Sequence, residues 1–224
     1  MLPVAARASG RAPLALWLLG LGLPWAIFGW LTWAVVVAGG PTWDAPVLLF
    51  WHRHVTPTLD KLAVFLTIVG NTGPMVGAGL LVLGLLLVRR QGRAAGLFAL
   101  SVGGSMLLTQ VVKALVQRPR PGLWASLRPE HTFSFPSGHA MDTAALATAL
   151  VFLLWQHRKP GWTWLPAPLF SVVVGWARVY LGVHNPSDVV AGWAAAVGWV
   201  VLVQVLAAQV AQPRPAPPLS KPRP

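Results

Sequence analysis

Three polar clusters interrupt a chain otherwise poor in charge, and each holds residue types suited to phosphate. Lys113 is followed seven residues later by Arg120-Pro121. Pro136-Ser137-Gly138-His139 stands at the start of an apolar run, and Arg178 is followed by His184 and Asp188. Arginine offers a permanent, forked donor that matches phosphate or carboxylate. A helix start preceded by Ser-Gly presents unpaired N–H groups and the positive end of the helix dipole to an anion. Two arginines and a lysine aimed at one place would neutralise a phosphoryl group and the charge of its transition state.

The third cluster carries a geometric expectation of its own. Pro186 suits the first turn of a helix, where its missing N–H is not needed. If that turn is helical, the Asp188 carboxylate lies on the same face as His184, four residues back. A carboxylate beside an imidazole fixes its tautomer and stabilises its protonated or covalently modified form. The two histidines can then divide the work. One, held by Asp188, attacks phosphorus, and the other, protonated, donates to the departing oxygen. The residues point to metal-independent phosphoryl transfer.

The elements that must position these groups are membrane spans. Only 10% of residues are charged and 55% are hydrophobic, against about 25% charged in a soluble domain. A crossing needs about 20 apolar residues, and six runs supply them: Leu14–Gly40, Leu62–Val88 with a kink at Asn71-Thr72-Gly73-Pro74, Ala94–Val112, Ser137–Gln156, Gly161–Ala177 and Val189–Gln212. The first run is too long for a signal h-region and is expected to be a retained span. Longer polar connections fill 41–61 and 118–136. The expected fold is all-α: one six-span bundle over residues 1–212, then a Pro-rich basic tail, 213–224, that should be disordered. With no cysteine there is no disulfide framework, thiolate metal site or cysteine nucleophile.

Net charge is +12, but the basic residues sit in small groups between apolar runs. The expected acidic partners are therefore anionic headgroups and a phosphorylated lipid substrate in the bilayer, not nucleic acid. Six spans put both termini on one side. Arg7, Arg11, Arg89, Arg90, Arg93, Arg158, Lys159, Arg214, Lys221 and Arg223 share that side, which the positive-inside rule makes cytoplasmic. Arg53, Lys61, Lys113, Arg118, Arg120, Arg128 and Arg178 fall on the opposite face, with the five acidic residues Asp44, Asp60, Glu130, Asp142 and Asp188 on or close to it. The three polar clusters share that extracytoplasmic face.

Lys-x6-Arg-Pro, Pro-Ser-Gly-His and Arg-x5-His-x3-Asp, in this order over residues 113–188, resemble the three-part signature of the type 2 phosphatidic acid phosphatase superfamily. The likeness is to its bacterial inner-membrane members, which act on phosphatidylglycerophosphate or undecaprenyl diphosphate. The resemblance implies that Lys113, Arg120 and Arg178 bind phosphate with Ser137 and Gly138. It implies His139 as general acid, His184 as the nucleophile that becomes phosphohistidine, and Asp188 as its orienting partner, with no cofactor and no metal. The family usually has serine before the arginine of its third motif, where this chain has Ala177.

Other residues have weaker claims. Arg118 is a spare cation that either meets a headgroup phosphate or faces solvent. Asp142, three residues after His139, either tunes that histidine, lines the entrance or forms a cap or ion pair. His52-Arg53-His54 lacks the carboxylate or cysteine support that a metal site would need. Glu130 and His131 are expected on the loop surface. Two rival readings differ in what they predict: a phosphotransferase would release little phosphate without an acceptor, and a non-catalytic lipid transporter would lack a residue of the three motifs.

Overall fold

Helices start and stop where the sequence carries end signals. Thr56 Oγ1 accepts from the Leu59 N–H at 3.2 Å and Pro57 opens the helix behind it, the preferred pairing of cap and first residue. Pro166 and Pro186 open two later helices. After the first long helix, the Gly39 and Gly40 N–H groups return to Val35 and Ala34 carbonyls, closing its last turn.

The computed structural model describes residues 18–157 and 159–210, and every regular element among them is helical. They are α1 (Leu23–Ala38, entered through a π turn at Leu18–Gly22), α2 (Asp44–Arg53), α3 (Pro57–Val69), α4 (Thr72–Val88), α5 (Gly92–Val116), α6 (Gly138–Gln156), α7 (Pro166–Tyr180, after a 3-10 turn at Gly161–Trp164) and α8 (Pro186–Val210). Helix α6 is central and packs on α5, α7 and α8. Its alanines, with Met141, meet Ala195, Ala196 and Val200 of α8 and Phe98 of α5 in the main apolar cluster. Small side chains let α6 and α8 approach closely. A Cβ on Gly192 would lie 2.9 Å from the Ser137 carbonyl and 3.2 Å from Ala140 Cβ, so alanine there would force the two helices apart.

Among the described residues, four helices are long and apolar enough to cross a membrane: Leu19–Ala38, α5, α6 and α8. Helices α3 and α4 qualify together as a fifth, bent by 49° at their break. The expected kink in 62–88 is thus a full break between two helices, and the start of α3 lies five residues before Leu62. The connection 41–61 is largely helical, holding α2 and that start. The expected fifth run, Gly161–Ala177, folds as the 3-10 turn and the 15-residue α7. At about 1.5 Å per residue α7 is about 22 Å long, short of the roughly 30 Å hydrocarbon core. Residues 14–17 of the first run, Arg7, Arg11, Arg158, Gln212 and the tail 213–224 lie outside the described residues.

Helix ends gather at one end of the bundle. The C-terminal ends of α1, α5 and α7 and the N-terminal ends of α4, α6 and α8 are tied together there, through Gly39, Lys113, Arg178, Thr72, Ser137 and Asp188. Successive long helices therefore run alternately toward and away from that end. Helices α2 and α3 close it, with Asp44 bonded to Ser187 and Thr56 and Asp60 bonded to the Tyr180 hydroxyl.

Candidate active site

His184 lies in the turn between α7 and α8 and is 1% exposed. Its Nε2 faces Arg120 Nη1 at 3.1 Å. A guanidinium can only donate, so Nε2 accepts and the proton is assigned to Nδ1. Nδ1 looks toward Asp188 Oδ2 at 3.6 Å and Ser134 Oγ at 3.4 Å. Burial first, and then the charges of Arg178, Arg120 and Lys113, push this imidazole well below its ordinary pKa. His184 is thus neutral, with a lone pair on Nε2.

Asp188 is on the expected helix face, and the helix does start at Pro186. It does not pair directly with the imidazole, however. Ser134 Oγ donates to Asp188 Oδ2 at 2.5 Å and stands beside the pair, 3.4 Å from Nδ1. The Asn185 N–H donates to the same oxygen at 2.8 Å, and Arg118 Nη1 reaches Oδ1 at 2.5 Å. The carboxylate is held on three sides.

Beside this pair is a cationic cradle. Arg120 is anchored by Thr132 O and Val183 O, each at 2.7 Å. Lys113 Nζ donates to Phe133 O at 2.6 Å and Thr132 Oγ1 at 3.3 Å. Its Cε would lie 3.9 Å from a Cβ on Gly138, so the glycine lets the lysine pack close to the start of α6. The Ser137 N–H donates to the Asp188 carbonyl at 3.0 Å, joining the starts of α6 and α8 through the main chain. Ser137 Oγ, His139 Nε2 and Arg178 Nε are buried side-chain atoms with no hydrogen-bond partner among the described residues. Unpaired buried polar atoms are costly, and of these Ser137 Oγ and Arg178 Nε can donate to an anion.

Several residues stand elsewhere than the sequence suggested. Arg118 meets neither headgroup nor solvent: it is buried between Asp44, at 2.9 Å, and Asp188. Glu130 is not loop surface. Its Oε1 accepts from Arg178 Nη2 at 2.6 Å and its Oε2 lies 3.7 Å from Arg120. Burial raises the Glu130 carboxyl, but the Arg178 charge and hydrogen bond outweigh it and hold the pKa below the ordinary value. Asp142 is buried and accepts from Thr72 Oγ1 at 2.7 Å, with no ion pair among the described residues. His52 stacks on Trp124 at 4.1 Å, and His54 Nδ1 lies 2.7 Å from Phe50 O. His131 is exposed as expected. Ala177 is fully buried among Ala63, Leu66, Tyr180 and Leu181. A hydroxyl at this position would enter an apolar contact between α3 and α7.

Ser134, Asp44, Ser187, Thr132 and Thr67, whose Oγ1 accepts from Arg178 Nη1 at 3.4 Å, contribute to the site without having been assigned a role in it. Asp44 carried a signal, because the chain has only five acidic residues and this one lies beside an expected span end. Hydroxyl residues in a loop carry none.

Fold and site define an integral membrane protein whose buried histidines, arginines and lysine gather at one end of a helix bundle. The sequence matches the PAP2 superfamily over residues 94–212, and the chain belongs to that superfamily. It is 37% identical over 102 residues to phosphatidylglycerophosphatase B of Bacillus subtilis, covering 43% of this chain and 50% of that one. Over 142 residues it is 33% identical to undecaprenyl-diphosphatase of Sulfolobus acidocaldarius, covering 61% and 65%. The chain thus spans about half to two-thirds of these relatives. The crystal structure of the first transmembrane PAP2-type phosphatidylglycerolphosphate phosphatase from Bacillus subtilis superposes with a TM-score of 0.74 at 26% identity, covering 84% of this chain and 96% of that one.

Proposed function

We propose that this protein is a metal-independent lipid phosphatase that removes the terminal phosphate of a membrane lipid phosphate or diphosphate. The observation that carries the reading is the set of unpartnered atoms Ser137 Oγ, His139 Nε2 and Arg178 Nε, beside a His184 whose Nε2 is unprotonated. Lys113, Arg120 and Arg178 receive the phosphoryl oxygens together with Ser137 and the Gly138 N–H. Phosphate displaces the Glu130 carboxylate from Arg178.

His184 Nε2 attacks phosphorus. The N–P bond forms as the bond to the leaving oxygen breaks, and that oxygen takes a proton from His139. Asp188, through Ser134, supports the positive charge that develops on His184. In the second half His139 takes a proton from water, the oxygen attacks phosphorus, and the N–P bond breaks to release phosphate. The transition-state charge is spread over groups already fixed by Thr132, Val183 and Phe133, so little reorganisation is needed during reaction.

Undecaprenyl diphosphate and phosphatidylglycerophosphate are the leading substrates, because relatives carry those names. The apolar tail stays between spans while the headgroup meets the cations. The alternating helix directions support six crossings, with Gly161–Tyr180 the short one. They also support a site on the face opposite the termini, extracytoplasmic in a bacterial inner membrane by the charge distribution.

Phosphate release from a panel of lipid phosphates in detergent tests the reaction. Wild type should release phosphate with or without chelator, and His184→Ala should release none. Full activity in that variant, or loss of wild-type activity in chelator, would overturn the mechanism. A cysteine in place of Gly122 should react with an impermeant reagent from outside intact cells.

A further inference from the structure

Asp44 lies outside the three motifs and outside the phosphate cradle, yet it is 5% exposed and fully engaged. Its Oδ1 accepts from the Ser187 N–H at 2.9 Å, and its Oδ2 accepts from Ser187 Oγ at 2.5 Å and Arg118 Nη2 at 2.9 Å. Ser187 is the second residue of α8, so its N–H is one that the helix cannot satisfy itself. A residue 143 positions away caps the helix that carries Asp188.

Arg118 is shared between the two acids. One nitrogen, Nη2, is held by Asp44 and by Gly39 O at 3.1 Å, and only Nη1 addresses Asp188, at Oδ1. Asp188 Oδ2 is thereby left to Ser134 and the His184 side. The guanidinium passes through the turn after α1 at Gly40, φ +126°, where a Cβ would lie 2.1 Å from Nη2. An arginine prefers to grip a carboxylate with both arms of its fork. Freed from Asp44, Arg118 would take both Asp188 oxygens and withdraw the acceptor that orients His184 Nδ1–H.

We propose that Asp44 is a positioning residue for the phosphatase reaction, keeping Arg118 to one oxygen of Asp188 so that the other holds the His184 tautomer. This rests on the lipid-phosphatase reading above. Asp44 has no contact with the phosphate cradle, so its loss should fall on kcat and spare KM.

The test compares full-length wild type, Asp44→Asn and the double variant Asp44→Asn/Arg118→Lys in detergent, with phosphatidylglycerophosphate and undecaprenyl diphosphate as substrates. Asp44→Asn should lose about tenfold to a hundredfold in kcat, the size of effect seen when supporting groups behind reactive ligands are removed, with KM within about threefold. The double variant should recover at least about fivefold of this, because lysine has no fork. With 15N-labelled histidine, the two His184 nitrogen signals should be well separated in wild type, average toward one another in Asp44→Asn, and separate again in the double variant. A double variant no better than the single one, or a loss confined to KM, would overturn the proposal, as would wild-type kcat in Asp44→Asn. If Asp44→Asn does not fold, Gly40→Ala displaces the same guanidinium nitrogen from the other side, and unchanged kcat and nitrogen signals there would overturn it equally. If wild type releases no phosphate from either lipid, the phosphatase reading fails, while the nitrogen signals still decide for or against Asp44.

Discussion

The Ser134 hydroxyl donates to Asp188 Oδ2 at 2.5 Å and lies beside the carboxylate–imidazole pair, within reach of both. Histidine and aspartate are 3.6 Å apart, with Ser134 Oγ 3.4 Å from Nδ1. The carboxylate therefore acts on the imidazole through a hydroxyl as well as across space. Ser134→Ala removes that bridge and one of the donors holding Asp188. Loss of a supporting group of this kind should lower kcat by about tenfold, and wild-type kcat in a folded Ser134→Ala would show the bridge to be incidental.

Glu130 is paired with the arginine that the proposed mechanism assigns to phosphate, so in that mechanism substrate and product compete with it. Glu130→Gln removes the competing charge. Inorganic phosphate should then inhibit about tenfold more strongly, a gain of about 1.4 kcal/mol. Inhibition that weakens would mean that Glu130 organises the arginines more than it blocks them.

The pH dependence follows from the depressed pKa of His184, whose ordinary value is about 6.5. In the proposed mechanism only the neutral imidazole attacks, and it stays neutral until the pH falls through the depressed value. The acid limb of kcat/KM should therefore lie well below pH 6.5. Stability has the same sign: below about 6.5 the unfolded histidine binds a proton that the folded one refuses, so stability falls on acidification through that window. An acid limb centred at or above 6.5 that is absent from single-turnover rates would point to another group.

Ala177→Ser restores the hydroxyl usual in the family, but into an apolar contact with Ala63 and Leu66. The added group can bond back to its own helix, so the cost should be about 1 kcal/mol or less, read as a slightly lower Tm in detergent. The value of kcat/KM should stay within about twofold. A tenfold rise would show that the hydroxyl reaches the phosphate after all.

Local order along the chain was legible, and long-range pairing was not. The starts of α6 and α8 lie where Ser-Gly-His and Asn-Pro-Ser placed them, because caps and prolines act on the backbone beside them. Thr56-Pro57 offered an equally good signal for the start of α3, but the polar residues that follow made 41–61 resemble a loop. Arg118 shows the limit most clearly. Its neighbours in sequence suggest a spare cation that meets a headgroup phosphate or solvent, whereas its partners are 70 and 74 residues away. Glu130 was misplaced for the same reason: its exposure depends on where Arg178 lies, and no periodicity encodes that.

The main-chain bond from Ser137 N–H to the Asp188 carbonyl has a consequence for how this protein can change over time. It joins the two histidine-bearing segments with atoms that every residue except proline possesses at the donor position. Side chains around the cradle can therefore drift, and headgroup preference with them, while the separation of His139 and His184 is inherited unchanged. Selection can retune what enters the site without having to rebuild where the reaction takes place.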